Sequence, residues 1–359
     1  MLRAGPSLAG QLLAHVVTGS SLGTHWCREA ADATQFGWVL EGGLGALLHH
    51  ACAAGLDDVP AAWREALRSA ELTARVLHAG RVETTLDILD ACDTVQVPAV
   101  LLKGISVSEQ FYPAGHLRPM TDVDVLLPRQ ARAAVEEALL RRGYVRLAWE
   151  HDPKHHHGAP LCQPRLGTFV ELHVALFPSD SPLSEGSTFR PERLLEQAVD
   201  SHYHGRPVRR LPPGLQLAYT AATWFNDMRT HGRPEPSHLP AAFDAAYLLQ
   251  GCGSSIDWTD LLEALDNPWA KASLHLTLSY LPRFGVRPAP AEVLARMGEE
   301  RTLVGPIQRR FIHRMLERQL FGAQPWRHPL PPPMLGRYSL REQLRKRVLD
   351  RLPAREQVL

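Results

Sequence analysis

The stretch that most constrains this chain is Val97–Leu127, VPAVLLKGISVSEQFYPAGHLRPMTDVDVLL. Pro98 opens a predicted strand, Ala99 to Leu102, whose continuous apolar run suits burial on both faces of a sheet. Lys103-Gly104 closes it, and glycine lets a backbone turn sharply and approach a ligand. Ser106 to Tyr112 then reads as a short helix whose first N–H groups suit phosphate oxygens. Pro113 and Gly115 break that helix, Arg118 stands in the loop, and a second strand carries Asp122 and Asp124. With a side-chain period of two, both carboxylates share one strand face, roughly 7 Å apart at Cα. Val123, Val125 and Leu127 point the other way, into a core. Two acids on an apolar strand are costly to bury without a cation between them. A divalent metal meets that need.

A second strand pattern repeats the arrangement. In Thr168–Phe177, TFVELHVALF, the residues Val170, Leu172, Val174 and Leu176 make an apolar face. Phe169, Glu171, His173 and Ala175 line the opposite one. Glu171 is therefore the candidate third carboxylate, with His173 as a possible accessory. If the two strands are neighbours, Asp122, Asp124 and Glu171 converge on one patch. Magnesium takes one or two carboxylates and fills its shell with phosphate oxygens and water. Two such ions, about 4 Å apart, can activate an attacking oxygen and stabilise a leaving pyrophosphate. That chemistry is nucleotidyl transfer.

The remaining chain reads as mainly helical. In residues 1–95, Gly42 and Gly43 join two segments, and Pro60 starts a long amphipathic helix with Trp63, Leu67, Ala70, Ala74 and Leu77 at helical spacing. After the acid pair, a helix runs from Pro128 to a C-terminal glycine, Gly143, and Tyr144–Trp149 is the next predicted strand. A loop over residues 150–167 holds His151 and His155 to His157. Three consecutive histidines cannot all aim at one ion without distorting the backbone, so a solvated loop is expected, with a metal site, a role beside phosphates or a mobile flap as alternatives. From Ser179 onward the chain is expected to be largely helical with proline-rich joints. Asp257 is a predicted N-cap, and Asp244, inside an apolar helix, needs a partner if buried. These boundaries predict a helical region at 1–95, a catalytic core at 96–178, a helical domain at 179–324, and a Pro-rich linker with a basic helical tail at 325–359.

Composition narrows the function classes. The formal charge of +1 argues against the strongly basic surface of a general nucleic-acid binder, so nucleic acid is not the favoured partner. Five scattered cysteines with no C-x-x-C pair fit reduced thiols in a cytoplasmic protein rather than a disulfide framework or a structural zinc site. No apolar run approaches the roughly 18 residues of a membrane span. Gln11 and His15 interrupt the apolar opening, which is not read as a cleaved signal.

Leu102-Lys103-Gly104, Arg118, Asp122-Val123-Asp124-Val125-Leu126 and the later Glu171-Leu172-His173 together resemble the DNA polymerase β-type nucleotidyltransferase superfamily. More narrowly, they are similar to its bacterial uncharacterised nucleotidyltransferase family. The motifs cover about residues 97–176. The resemblance implies an α/β (α+β) fold, with a small mixed sheet flanked by mainly helical N- and C-terminal regions. It also implies Asp122, Asp124 and Glu171 as metal ligands and catalytic residues, with Glu171 as the base. Lys103, Gly104, Ser106 and Arg118 would be nucleotide-binding. The superfamily commonly sets Gly and Ser adjacent, whereas Ile105 separates Gly104 from Ser106 here. The implied cofactor is Mg²⁺, two ions, with Mn²⁺ as a substitute. The implied partners are an NTP, ATP first, and an unidentified hydroxyl acceptor on a small molecule, a protein side chain or an RNA end. A catalytically weak nucleotide-sensing or protein-interaction module using the same pocket is the alternative.

Overall fold

The computed structural model describes residues 7–322, apart from 20–21, 23, 28–31, 149–154, 232–233, 288 and 300–302. His151, Trp149 and the tail from Pro325 lie outside the described residues. Helices α1 (Leu8–Thr18), α2 (Asp32–Glu41), α3 (Gly45–Ala51) and α4 (Ala61–Val95) come first. The mixed α/β section follows with β1 (Val100–Leu101), α5 (Lys103–Phe111), β2 (Asp122–Leu126), α6 (Arg132–Arg141), β3 (Val145–Arg146), β4 (Leu161–Gln163) and β5 (Thr168–His173). Then come α7 (Pro191–Gln197), β6 (Val199–Tyr203) and β7 (Arg206–Arg210). The C-terminal helices are α8 (Pro213–His231), α9 (Leu239–Cys252), α10 (Trp258–Ala264), α11 (Pro268–Tyr280), α12 (Ala291–Glu299) and α13 (Pro306–Met315).

The strands form one mixed sheet in the order β3-β4-β5-β2-β1-β7-β6. At its centre β2 runs parallel to β5 and antiparallel to β1, while β1 runs parallel to β7. The β6–β7 hairpin adds two strands, not foreseen, to a part of the chain expected to be largely helical. Its sequence, VDSHYHGRPVRR, is polar and carries a proline, so it lacks the apolar run that marked the central strands. His204 and Gly205 turn it in the left-handed region, with φ of 46° and 78°.

The alternation read in β2 is realised. Val123 and Val125 are fully buried beneath α4 and α6, in a core shared with Ile88, Leu89, Leu139, Val170 and Leu172. The opposite face turns toward the C-terminal helices, where Leu126 joins a second and larger core built mainly from α8, α9 and α11. The sheet thus separates two hydrophobic cores, and the acids lie on the side of the second.

Helix α4 contributes to both sides. It runs unbroken for 35 residues from Pro60, which supplies its N-cap. Near its start Trp63 stacks on Phe36, with ring centroids 4.6 Å apart. Its last third buries Ile88, Leu89 and Cys92 on the sheet. Between these anchors Leu67 is fully buried in the larger core and Ala74 packs against it, but the predicted apolar stripe opens toward its end. Leu77 is 41% exposed and, with Ala70 and Ala74, walls a cleft.

Asp244 finds the partner its burial demands. On α9, it takes the Arg118 guanidinium through Nη2 at 2.7 Å and Nε at 3.2 Å, and the Tyr112 hydroxyl at 2.8 Å. This joins the loop before β2 to the helical side of the molecule. Asp257 caps α10 as predicted, accepting from the backbone N–H of Thr259 and Asp260. Removing one member of a buried ion pair strands the other. Asp244→Ala is therefore expected to lower unfolding free energy in urea by about 3–5 kcal/mol.

Candidate active site

The site is assembled by strand register. In the parallel β2–β5 pair, Asp124 lies opposite Glu171 and Asp122 opposite Phe169. Asp124 is almost fully buried, and its Oδ1 accepts from Lys103 Nζ at 3.1 Å and bonds His173 Nε2 at 2.6 Å. His173, fully buried, also reaches Glu171 Oε2 at 3.3 Å. Ligand atoms of Asp124, Glu171 and His173 all lie within 4.8 Å of one another.

These distances set the charges. Burial works to raise the Asp124 pKa, yet Lys103 and His173 outweigh it and hold the carboxylate below the usual range. Glu171 is lowered in the same sense, its burial offset chiefly by the bond to His173. His173 is raised, because its bonds to Asp124 and Glu171 outweigh burial. Asp122 goes the other way. Burial, then the neighbouring Asp124, push it up to about 6 against the pull of Lys103. Among the described residues Asp122 has no hydrogen-bond or ion-pair partner, and both bonds to Asp124 use one oxygen, leaving Oδ2 open. A half-buried carboxylate without a partner, beside a second with a free oxygen, fits an oxygen-loving divalent cation.

The helix expected after a Lys-Gly turn begins earlier, at Lys103 itself. Lys103 adopts φ of 43°, a region that costs a non-glycine residue on the order of 1 kcal/mol or more. This strained start sends the lysine back to Asp124. Gly104 is needed for close packing: an added Cβ would meet the Arg118 guanidinium and stand 2.5 Å from Met120 Cγ.

A cleft of about 830 Å³ opens over the acids, between α4, the loop before β2, α8 and α9. Asp122, Asp124, Lys103 and Arg118 line it, whereas Gly104, Ser106 and Glu171 do not. Ser106 is not brought to the acids. Its hydroxyl, buried on the inner face of α5, is engaged by Gln216 Nε2 at 3.1 Å and Gln110 Nε2 at 3.3 Å. The extra residue, Ile105, turns the serine by a further helical step away from the helix start. Arg118 lines the cleft while clamped on Asp244.

The histidine triplet departs from a solvated loop. His157 bridges to His173 on β5 and sits 3.7 Å from Glu171 Oε2, and the His156 ring is 5.1 Å from that of His173. One ligand atom from each of the His155, His156 and His157 rings falls within 4.8 Å of the others. Sequence reasoning missed Arg81 and Tyr219, which line the cleft from α4 and α8. Each lies in an ordinary amphipathic helix, with no local motif to mark it.

A family model described as uncharacterised nucleotidyltransferase matches residues 41–285, more than half of the chain. The chain belongs to that family. It is a nucleotidyltransferase, and the match spans the acid strands, the cleft and most of the surrounding helices. No curated protein matches the sequence. Among solved structures, the solution structure of the antibiotic-resistance factor ANT(2'')-Ia is 16% identical, with a TM-score of 0.33, over 52% of this chain and 88% of that one. The crystal structure of ANT(2'')-Ia with adenylyl-2''-tobramycin is 15% identical, with a TM-score of 0.33, over 51% and 94%. An antigenic nucleotidyltransferase-like protein from Paracoccidioides brasiliensis is 18% identical, with a TM-score of 0.27, over 51% and 92%. Among the described residues no helix is long and apolar enough to cross a membrane.

Two substitutions test this geometry in the metal-free protein. Gly104→Ala overpacks the Arg118–Met120 contact and is expected to cost about 1–3 kcal/mol in urea unfolding. Asp122→Asn removes a charge that folding disfavours, so its melting temperature should exceed wild type at pH 7.5. A carboxyl raised on folding weakens stability as pH climbs through its folded pKa. The advantage of the variant should therefore shrink as pH is lowered from about 6 toward the unfolded value near 4.

Proposed function

We propose that this protein moves a nucleoside monophosphate from a nucleoside triphosphate, ATP first, to a hydroxyl of an acceptor bound in the cleft, with release of pyrophosphate. The observation that carries this reading is the register of β2 against β5, which sets Asp124 beside Glu171 with Asp122 on the same strand face. Asp122, Asp124 and Glu171 would hold Mg²⁺, or Mn²⁺ in its place. Bound there, the metal would supply Lewis-acid stabilisation of phosphoryl charge and a more acidic acceptor hydroxyl.

In this reading the chain's own groups have separable tasks. Lys103 and His173 keep Asp124 ionised and fixed in direction. Glu171, part-exposed beside Asp124, takes the acceptor proton as the acceptor oxygen bonds to the α-phosphorus and the bond to the β-phosphate oxygen breaks. Lys103 and Arg118 line the cleft floor, each held in place by its carboxylate, Asp124 or Asp244. The aliphatic wall from α4, Ala70, Ala74 and Leu77, gives the acceptor an apolar surface. An acceptor smaller than a macromolecule suits a cleft of this volume.

The first test is thermal unfolding with each NTP and Mg²⁺. A nucleotide at a hundred times its Kd should stabilise wild type by about 2.7 kcal/mol. Asp124→Asn should lose that Mg-dependent shift. Glu171→Gln should lower turnover by about 10²–10⁴-fold, the usual range for a lost general base. Equal shifts in wild type and Asp124→Asn would contradict the assignment of the metal-nucleotide pocket.

A further inference from the structure

Three strongly basic side chains line the cleft, and two of them are already neutralised. Lys103 donates to Asp124 at 3.1 Å, and Arg118 is held on Asp244 at 2.7 Å. The third is Arg81 on α4, nine-tenths buried. Its guanidinium makes one hydrogen bond, from Nη2 to the carbonyl of Met120, and pairs with no carboxylate among the described residues. A guanidinium has five N–H donors in a fixed fork, so most of this one's capacity is unspent.

A buried cation with a single carbonyl partner is an expensive arrangement. Tethering α4 to Met120 does not explain it, because a neutral donor would make the same bond without desolvating a charge. Burial, the dominant influence, lowers the Arg81 pKa; Asp122 draws it back up and Arg118 adds repulsion. Among the described residues Asp122 acts on it only from beyond ion-pair distance, and no anion occupies the guanidinium's fork. The surroundings also fix it in place. α4 is a single long helix, and at Gly80 it lies so close to β5 that an added Cβ would stand 3.3 Å from Thr168 Oγ1. Met120, which tethers the guanidinium, is two residues before Asp122 in the chain. The open edge of the guanidinium therefore belongs to the same cleft as the acids, where a polyphosphate chain has to lie if they handle its α-phosphate. Arginine's planar fork matches phosphate oxygens in pairs.

We propose that Arg81 is the nucleotide's phosphate anchor, a substrate-binding residue supplied by the N-terminal helical region rather than by the acid-bearing strands. The assignment rests on the nucleotidyl-transfer reading above. It gives α4 a part in nucleotide binding as well as in walling the cleft.

Calorimetric titration of the full chain with Mg-ATP, inorganic tripolyphosphate and adenosine tests it, using wild type, Arg81→Gln and Arg81→Lys. In Arg81→Gln, affinity for Mg-ATP and tripolyphosphate should fall about 10-fold or more, while affinity for adenosine is unchanged. The melting temperature without ligand should be equal to or above wild type, because an unpaired buried charge has been removed. Arg81→Lys keeps the charge but not the fork and should recover part of the loss. If Arg81→Gln does not fold, Arg81→Lys carries the test, and wild-type affinity in it overturns the assignment. Wild-type affinity in Arg81→Gln, with or without a lower melting temperature, makes Arg81 a tether and overturns the proposal while nucleotidyl transfer stands. A wild type that binds neither Mg-ATP nor tripolyphosphate removes both.

Discussion

Like charges crowded on one buried strand face are the constraint around which this molecule is built. Asp122, Asp124 and Glu171 occupy neighbouring positions on β2 and β5, where burial works to raise the pKa of each. Two of the three are kept ionised by local partners. Lys103 reaches Asp124 from a strained backbone position at the start of α5, and His173 joins Asp124 to Glu171 from inside the core. Asp122 has no such partner among the described residues and is the unsatisfied member. The fold tolerates that imbalance because the opposite face of β2 packs Val123 and Val125 into a dry core beneath α4 and α6.

The same logic explains how the helical regions are attached. Arg118 leaves the loop before β2 and is clamped by Asp244 on α9, with Tyr112 completing the carboxylate's hydrogen bonds. The glycine at 104 lets α5 pass directly beside this arginine. One buried pair therefore fixes the cleft floor against its helical side. α4 closes the other side with a wall that changes from alanine and leucine to arginine as it approaches the acids.

Much of the catalytic core was legible because it obeys a simple period. The Asp-x-Asp strand, the apolar valines behind it and the Glu171 strand could each be read by alternation, whereas that the two strands are neighbours, and parallel, came from the structure. The Asp257 cap of α10 was equally readable. Long-range pairings were not. That Asp244 needed a partner was evident from its apolar neighbours, but nothing local pointed 126 residues back to Arg118. Ser106 shows the limit of motif reading: one inserted residue on a helix rotates a side chain by about 100°, and here the hydroxyl ends among Gln110, Arg210 and Gln216. The β6–β7 hairpin escaped notice because its strands are polar and half exposed. The packing of His156 and His157 against His173 depends on where β5 ends, which no property of the triplet reveals.

The most direct measurement is a crystal structure of the full chain with Mn²⁺ and an ATP analogue that resists cleavage between the α- and β-phosphates, using anomalous scattering to locate the metal. The account predicts manganese within coordination distance of Asp122, Asp124 and Glu171, with the triphosphate beside it in the cleft. Manganese held only by His155 to His157, or a nucleotide bound away from the three acids, would contradict it.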